Sequence, residues 1–218
     1  LNPLITEVTT GATDALLGLE TMACAALIWG LVQTGPFKVR LWLGIYGLLI
    51  VASVLGAVTH GLDLSEELRD ALWQPLFLSL GLMLSLIAVA AVYDRWGADA
   101  GRRVLPIAIV AGVGFYGVTV VADGVFLVFV AYEAVAMSFA LVVYSQLAAR
   151  SRPGAALVAV GVLVTLIAAI AQQTDWTVTL IWPLDHNGIF HLIQMPGLLL
   201  MTLGVRQSLL LGTTADSR

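Results

Sequence analysis

The sequence is short of charged and cross-linking residues. Its single cysteine, Cys24, excludes a disulfide framework and a cysteine-based zinc site. Its single lysine is Lys38, expected in a loop. A retinal protein needs a lysine in its last helix to form the Schiff base, so that class is excluded as well. Charged residues make up 11% of the 218-residue chain, against about 25% in a soluble domain. The formal charge of −4 gives no basic footprint for nucleic acid. There are three histidines, His60, His186 and His191.

What remains is apolar: 60% of the residues are hydrophobic and the mean hydropathy is +0.97. A water-soluble fold of this size cannot hide that much apolar surface, so an integral membrane protein is predicted. Seven nearly uncharged stretches reach the roughly 20 residues a bilayer span needs: 15–37, 41–62, 71–93, 104–122, 124–149, 153–174 and 187–205. Short connections predict one all-α seven-helix transmembrane bundle over residues 1–218. The runs are too long and too uniform for barrel strands. Lys38, Arg40, Arg95, Arg102, Arg103, Arg150, Arg152, Arg206 and Arg218 fall on one side and Arg69 on the other. The positive-inside rule then puts the N-terminus outside and the C-terminus in the cytoplasm. The outer side is acidic, with Glu7, Asp14, Asp63, Glu66, Glu67, Asp70, Asp123, Asp175 and Asp185. Leu1–Thr13 is polar and lacks a basic leader region, so the first span is expected to act as the insertion signal. Trp42, Trp96, Trp176 and Trp182 flank spans and are expected in the interfacial aromatic belt. Gly112, Gly114 and Gly117 suggest close helix packing.

The orientation brings every histidine to one level. His60 ends the second span, and His186 and His191 open the seventh. Three imidazoles in one layer can share a zinc ion with an open fourth position, the pattern of catalytic sites. Asp70 opens the third span and is a candidate general base, with Asp63 as a competitor one turn after His60. Asp185 is a candidate helix cap or hydrogen-bond partner of a histidine. Glu20 and Glu133 lie within spans, where a carboxylate is costly and functional by default; pairing between helices is the structural alternative. Glu7, Asp14 and Glu20 form a candidate calcium set. Trp73 is placed to line the site.

These residues resemble the CREST superfamily of seven-helix membrane proteins, which includes alkaline ceramidases, progestin and adiponectin receptors and uncharacterised bacterial members. The resemblance spans the whole architecture and rests on Val-Thr-His60, Arg-Asp70-Ala-Leu-Trp, and Asp-His186-Asn-Gly-Ile-Phe-His191-Leu-Ile-Gln. It implies zinc held by His60, His186 and His191, with Asp70 as base. The implied activity is amide hydrolysis of an N-acyl or sphingolipid-like substrate in the bilayer. It also implies a bacterial cytoplasmic membrane with the site near the outer face. The outward N-terminus and Glu20 are similar to the ceramidases, whose calcium site has an acidic residue so placed. Three features depart from the family. Gly56 stands where the family has serine; Ser53, seven before His60, is the remaining candidate for an oxyanion or substrate contact. The histidines of span 7 are five apart rather than four, which on a helix separates them by about 140°. Either His186 sits on a non-helical turn, or Asn187 occupies the family position. The connection before Asp70 is shorter by about one residue. The alternative function is a receptor-like binding or signalling protein with a structural zinc.

Overall fold

The computed structural model describes residues 1–122 and 124–215. Asp123 and Arg218, used in the charge reading, lie outside the described residues. Seven helices are long and apolar enough to cross a membrane, and the chain is an all-α seven-helix membrane protein. They are α1 (Ile5–Trp29), α2 (Pro36–Gly61), α3 (Glu66–Trp96), α4 (Ala98–Val121), α5 (Phe126–Ala149), α6 (Ala155–Gln172) and α7 (His186–Ala215). Within lipid each backbone N–H and C=O must find an internal partner, which a helix provides along its whole length. A two-stranded hairpin, β1 (Val178–Thr179) and β2 (Pro183–Leu184), joins α6 to α7 with Val178 opposite Leu184.

The packing is a ring. α1 packs on α2, α2 on α3, α3 on α5, α5 on α6, α6 on α7, and α7 returns to α1. α4 lies outside this ring, mainly against α3. Gly112 meets Gly81 and Ser85 of α3 there, as close packing requires, whereas Gly114 and Gly117 face open space. The α6–α7 seam is tightened by Gly161 and Gly197. A Cβ on Gly161 would stand 2.5 Å from the Gly197 carbonyl oxygen, so backbone meets backbone as in small-residue membrane interfaces.

Several sequence expectations change here. The first helix begins at Ile5 rather than near Ala15, so Glu7 and Asp14 belong to α1, and Asp14 is buried. Lys38 is not in a loop. It lies in the first turn of α2, buried, with Nζ 2.6 Å from Asp94 Oδ1 and 2.7 Å from Ser208 Oγ. Tyr144 donates to the other Asp94 oxygen, so one polar cluster joins α2, α3, α5 and α7. Trp42 is 1% exposed and sits in the core with Tyr46, because it points into the ring. Trp96, Trp176 and Trp182 are exposed, as belt residues should be.

Candidate functional site

The ring encloses a cavity of about 300 Å³ at the end where α1, α3, α5 and α7 begin. All six ring helices line it and α4 contributes nothing. His60, His186 and His191 all face this one space, with Asn187 and Trp73. His186 is the first residue of α7 and not part of a non-helical turn, so the two imidazoles keep the angular separation of their five-residue spacing while both line the cavity. Asp185 precedes His186, and its Oδ1 accepts the Gly188 N–H at 2.9 Å and the Thr10 hydroxyl at 2.7 Å. Asp185 is therefore the cap of α7 and ties that helix start to α1. Asn187 is held sideways, its Oδ1 accepting from Gln172 Nε2 at 2.9 Å.

The polar start of α1 organises two of the imidazoles. His60 Nδ1 is 2.7 Å from Glu7 Oε2; a carboxylate only accepts, so the ring donates from Nδ1. Thr13 Oγ1 lies 2.8 Å from the Thr10 carbonyl and 2.9 Å from His191 Nδ1, and the direction of the second contact follows the tautomer of the ring. Each ring is oriented through Nδ1 and keeps Nε2 for the site, the arrangement that orients metal-binding histidines. His191 Nε2 lies 3.2 Å from Asp14 Oδ1. A carboxylate only accepts, so this contact takes either the ring's own proton on Nε2 or a cation between the two atoms. Asp14 Oδ2 is buried with no hydrogen-bond partner.

Gly56 explains how Asp14 fits. A Cβ there would lie 2.7 Å from Cγ, Oδ1 and Oδ2 of Asp14. A side chain at 56 would collide with this carboxylate, which reaches in from the neighbouring helix.

The other candidates are distributed as follows. Ser53 lines the cavity, buried, with its hydroxyl unpartnered. Asp70 is exposed and lines a groove that shares Trp73 and Phe126 with the histidine cavity; it does not itself line that cavity. Asp63 is exposed and shares a shallow outer groove with His60 and Glu7. Glu7, Asp14 and Glu20 are not gathered: the first two are engaged by different imidazoles, and Glu20 does not line the cavity. Among the described residues, no three His, Cys, Asp or Glu side chains are grouped tightly enough to hold one metal ion as they stand. The donor set nevertheless suits zinc. Imidazole nitrogens are donors that zinc takes, and three of them leave a fourth position open. Sequence reading missed Gln172 and Gln194 as cavity groups and Thr13 as the partner of His191. Gln194 follows His191 by three residues, which is one face of one helix, and that signal was present.

Fold and site together define a seven-helix membrane protein with a histidine- and carboxylate-lined cavity inside its helix ring. The chain belongs to the family of unknown function DUF6962, whose profile matches residues 9–210. No curated protein matches it. No solved structure matches it either.

Proposed function

We propose that the protein is a zinc-dependent intramembrane hydrolase that cleaves the amide bond of an N-acyl lipid. The observation that carries this reading is the convergence of all three histidines and a buried, half-unpartnered Asp14 on one apolar-walled cavity. His60, His186 and His191 would hold the zinc. The chemistry such an ion supplies when bound is Lewis-acid polarisation of a carbonyl and acidification of water.

The chain's own residues provide the rest. Asp14, rather than Asp70, is the general base, because it stands beside the histidines and Asp70 does not. Amide hydrolysis adds water to the carbonyl carbon, breaks the C–N bond and yields a carboxylic acid and an amine. Asp14 takes the proton from water and returns it to the leaving nitrogen. The Ser53 hydroxyl is free to donate to the carbonyl oxygen. Glu7 and Thr13 contact Nδ1 of the His60 and His191 rings, which leaves Nε2 of each to face the metal. Leu17, Leu49, Leu76 and Phe129 offer an apolar path for an acyl chain from the bilayer. Glu7 and Asp14 belong to the histidine site in this reading rather than to a calcium site. By the loop charges, the site faces the outer leaflet of a bacterial cytoplasmic membrane.

The receptor-like reading rests on the absent serine at position 56, and Asp14 fills that space. The test is release of fatty acid from a panel of N-acyl lipids by the purified protein. Asp14→Ala should lower the rate at least 100-fold, the usual scale for losing a general base, and Asp70→Ala by less than threefold. Loss in Asp70→Ala with full activity in Asp14→Ala refutes the assignment. Absence of cleavage from the whole panel favours the receptor-like reading.

A further inference from the structure

Among the described residues, nine buried side-chain nitrogen or oxygen atoms have no hydrogen-bond partner. Five of them line the histidine cavity: Asp14 Oδ2, Ser53 Oγ, Glu133 Oε2, Gln172 Oε1 and Gln194 Oε1. Four of these five can only accept a hydrogen bond or are carboxylate oxygens. A buried polar atom left unmatched costs about 1–3 kcal/mol, and more when charged. Scattered orphans of mixed polarity would point to no ligand. Five clustered around one void, nearly all acceptors, describe a ligand rich in donors.

Glu133 sets the charge of that ligand. It is 3% exposed and lies seven residues into α5, about 10 Å below the helix start at 1.5 Å per residue. No lysine or arginine pairs with it among the described residues, and the one buried lysine is engaged by Asp94. Ser53 and Gln194 lie deeper along their helices than His60 and His191, by seven and three residues. The inner end of the cavity is thus a carboxylate with neutral acceptors. Phe129, one helical turn from Glu133 on the same face of α5, also lines the cavity; an aromatic face adds to the attraction for a desolvated cation. Leu80 and Met83 complete an apolar wall for an alkyl chain. A carboxylate or phosphate head would face Asp14 and Glu133 with a charge of the same sign.

We propose that the inner end of this cavity binds the ammonium group of an amine-bearing amphiphile, with Glu133 as its counter-charge and Ser53 and Gln194 as neutral acceptors. Glu133 is then a binding residue that selects head-group charge. The inference concerns binding, does not depend on bound metal and stands apart from the hydrolase reading.

The test is saturation binding of dodecylamine, dodecanol and dodecanoate to the full chain in neutral-lipid nanodiscs, with empty discs subtracted. It is run on chelator-treated and zinc-loaded protein. Dodecylamine should bind at least tenfold more tightly than dodecanol, and dodecanoate more weakly than both. Glu133→Gln should bring the amine-to-alcohol ratio close to one, while Glu133→Asp keeps a preference for the amine. Equal binding of the three probes by the unsubstituted protein overturns the proposal, whatever happens to the variants. So does a full amine preference in folded Glu133→Gln. Fatty-acid release assayed on the same preparations separates the two readings. Amine preference without cleavage leaves this proposal standing and removes the hydrolase, and cleavage without amine preference does the reverse.

Discussion

Gly56→Ala tests the contact on which the site's construction depends. A Cβ at this position falls 2.7 Å from three atoms of Asp14, inside any distance that real Cβ atoms adopt. Overpacking of a filled interior costs about 1–3 kcal/mol. Replacing glycine by alanine within a helix returns about 1 kcal/mol. In the parent protein the net effect should therefore lie between about zero and 2 kcal/mol of destabilisation. In an Asp14→Ala background the collision partner is gone and only the helix gain remains, so the same substitution should stabilise by up to about 1 kcal/mol. The coupling between the two positions is then about 1–3 kcal/mol. Reversible unfolding in mixed detergent micelles, measured for all four members of the cycle, reads this directly. Effects that add within about 0.5 kcal/mol, the behaviour of independent sites, would refute the claim that Asp14 occupies the space above Gly56.

Three further outcomes follow from other contacts. Glu7→Gln keeps the size of the His60 partner but removes its charge, and should weaken zinc affinity about 10–100-fold, measured by competition with a chelating dye. Lys38→Ala strands Asp94 in the polar cluster at the opposite end and should destabilise by about 3–5 kcal/mol, while a Lys38→Met, Asp94→Leu pair should recover most of that loss; both are checked by the same unfolding assay. The Lys38→Met, Asp94→Leu protein should cleave lipid at the parent rate, since neither residue lines the histidine cavity.

The spans and the common level of the histidines were legible because apolar runs and their alternation across a bilayer need no tertiary information. The start of α1 was not. Its threonines and acids read as a polar segment ahead of the first span, yet Thr9 bonds the Thr6 and Pro183 carbonyls, Thr10 bonds Asp185, and Thr13 contacts the Thr10 carbonyl and His191. Polar groups matched within the fold are invisible to hydropathy, and with them went the role of Asp14. Lys38 was misplaced for the same reason, its charge being met by an aspartate 56 positions away. Trp42 was assigned to the belt because composition does not say which face of a helix turns inward. The helical spacing of His186 and His191 gave no sign that both line one cavity, because the breadth of a cavity is not written in the spacing of one helix. Asp70 was carried by its place at the start of the third span and by the resemblance, and nothing in its own sequence surroundings distinguishes it from an acidic helix start favoured by the macrodipole.

Metal content tests the central claim most directly. The purified chain, analysed for all transition metals, should carry close to one zinc per molecule. His60→Ala and His191→Ala should each lose it while remaining folded, and Asp70→Ala should retain it. A protein that cleaves N-acyl lipids without metal, or whose zinc content is unchanged when His60 and His191 are both replaced, would contradict the account.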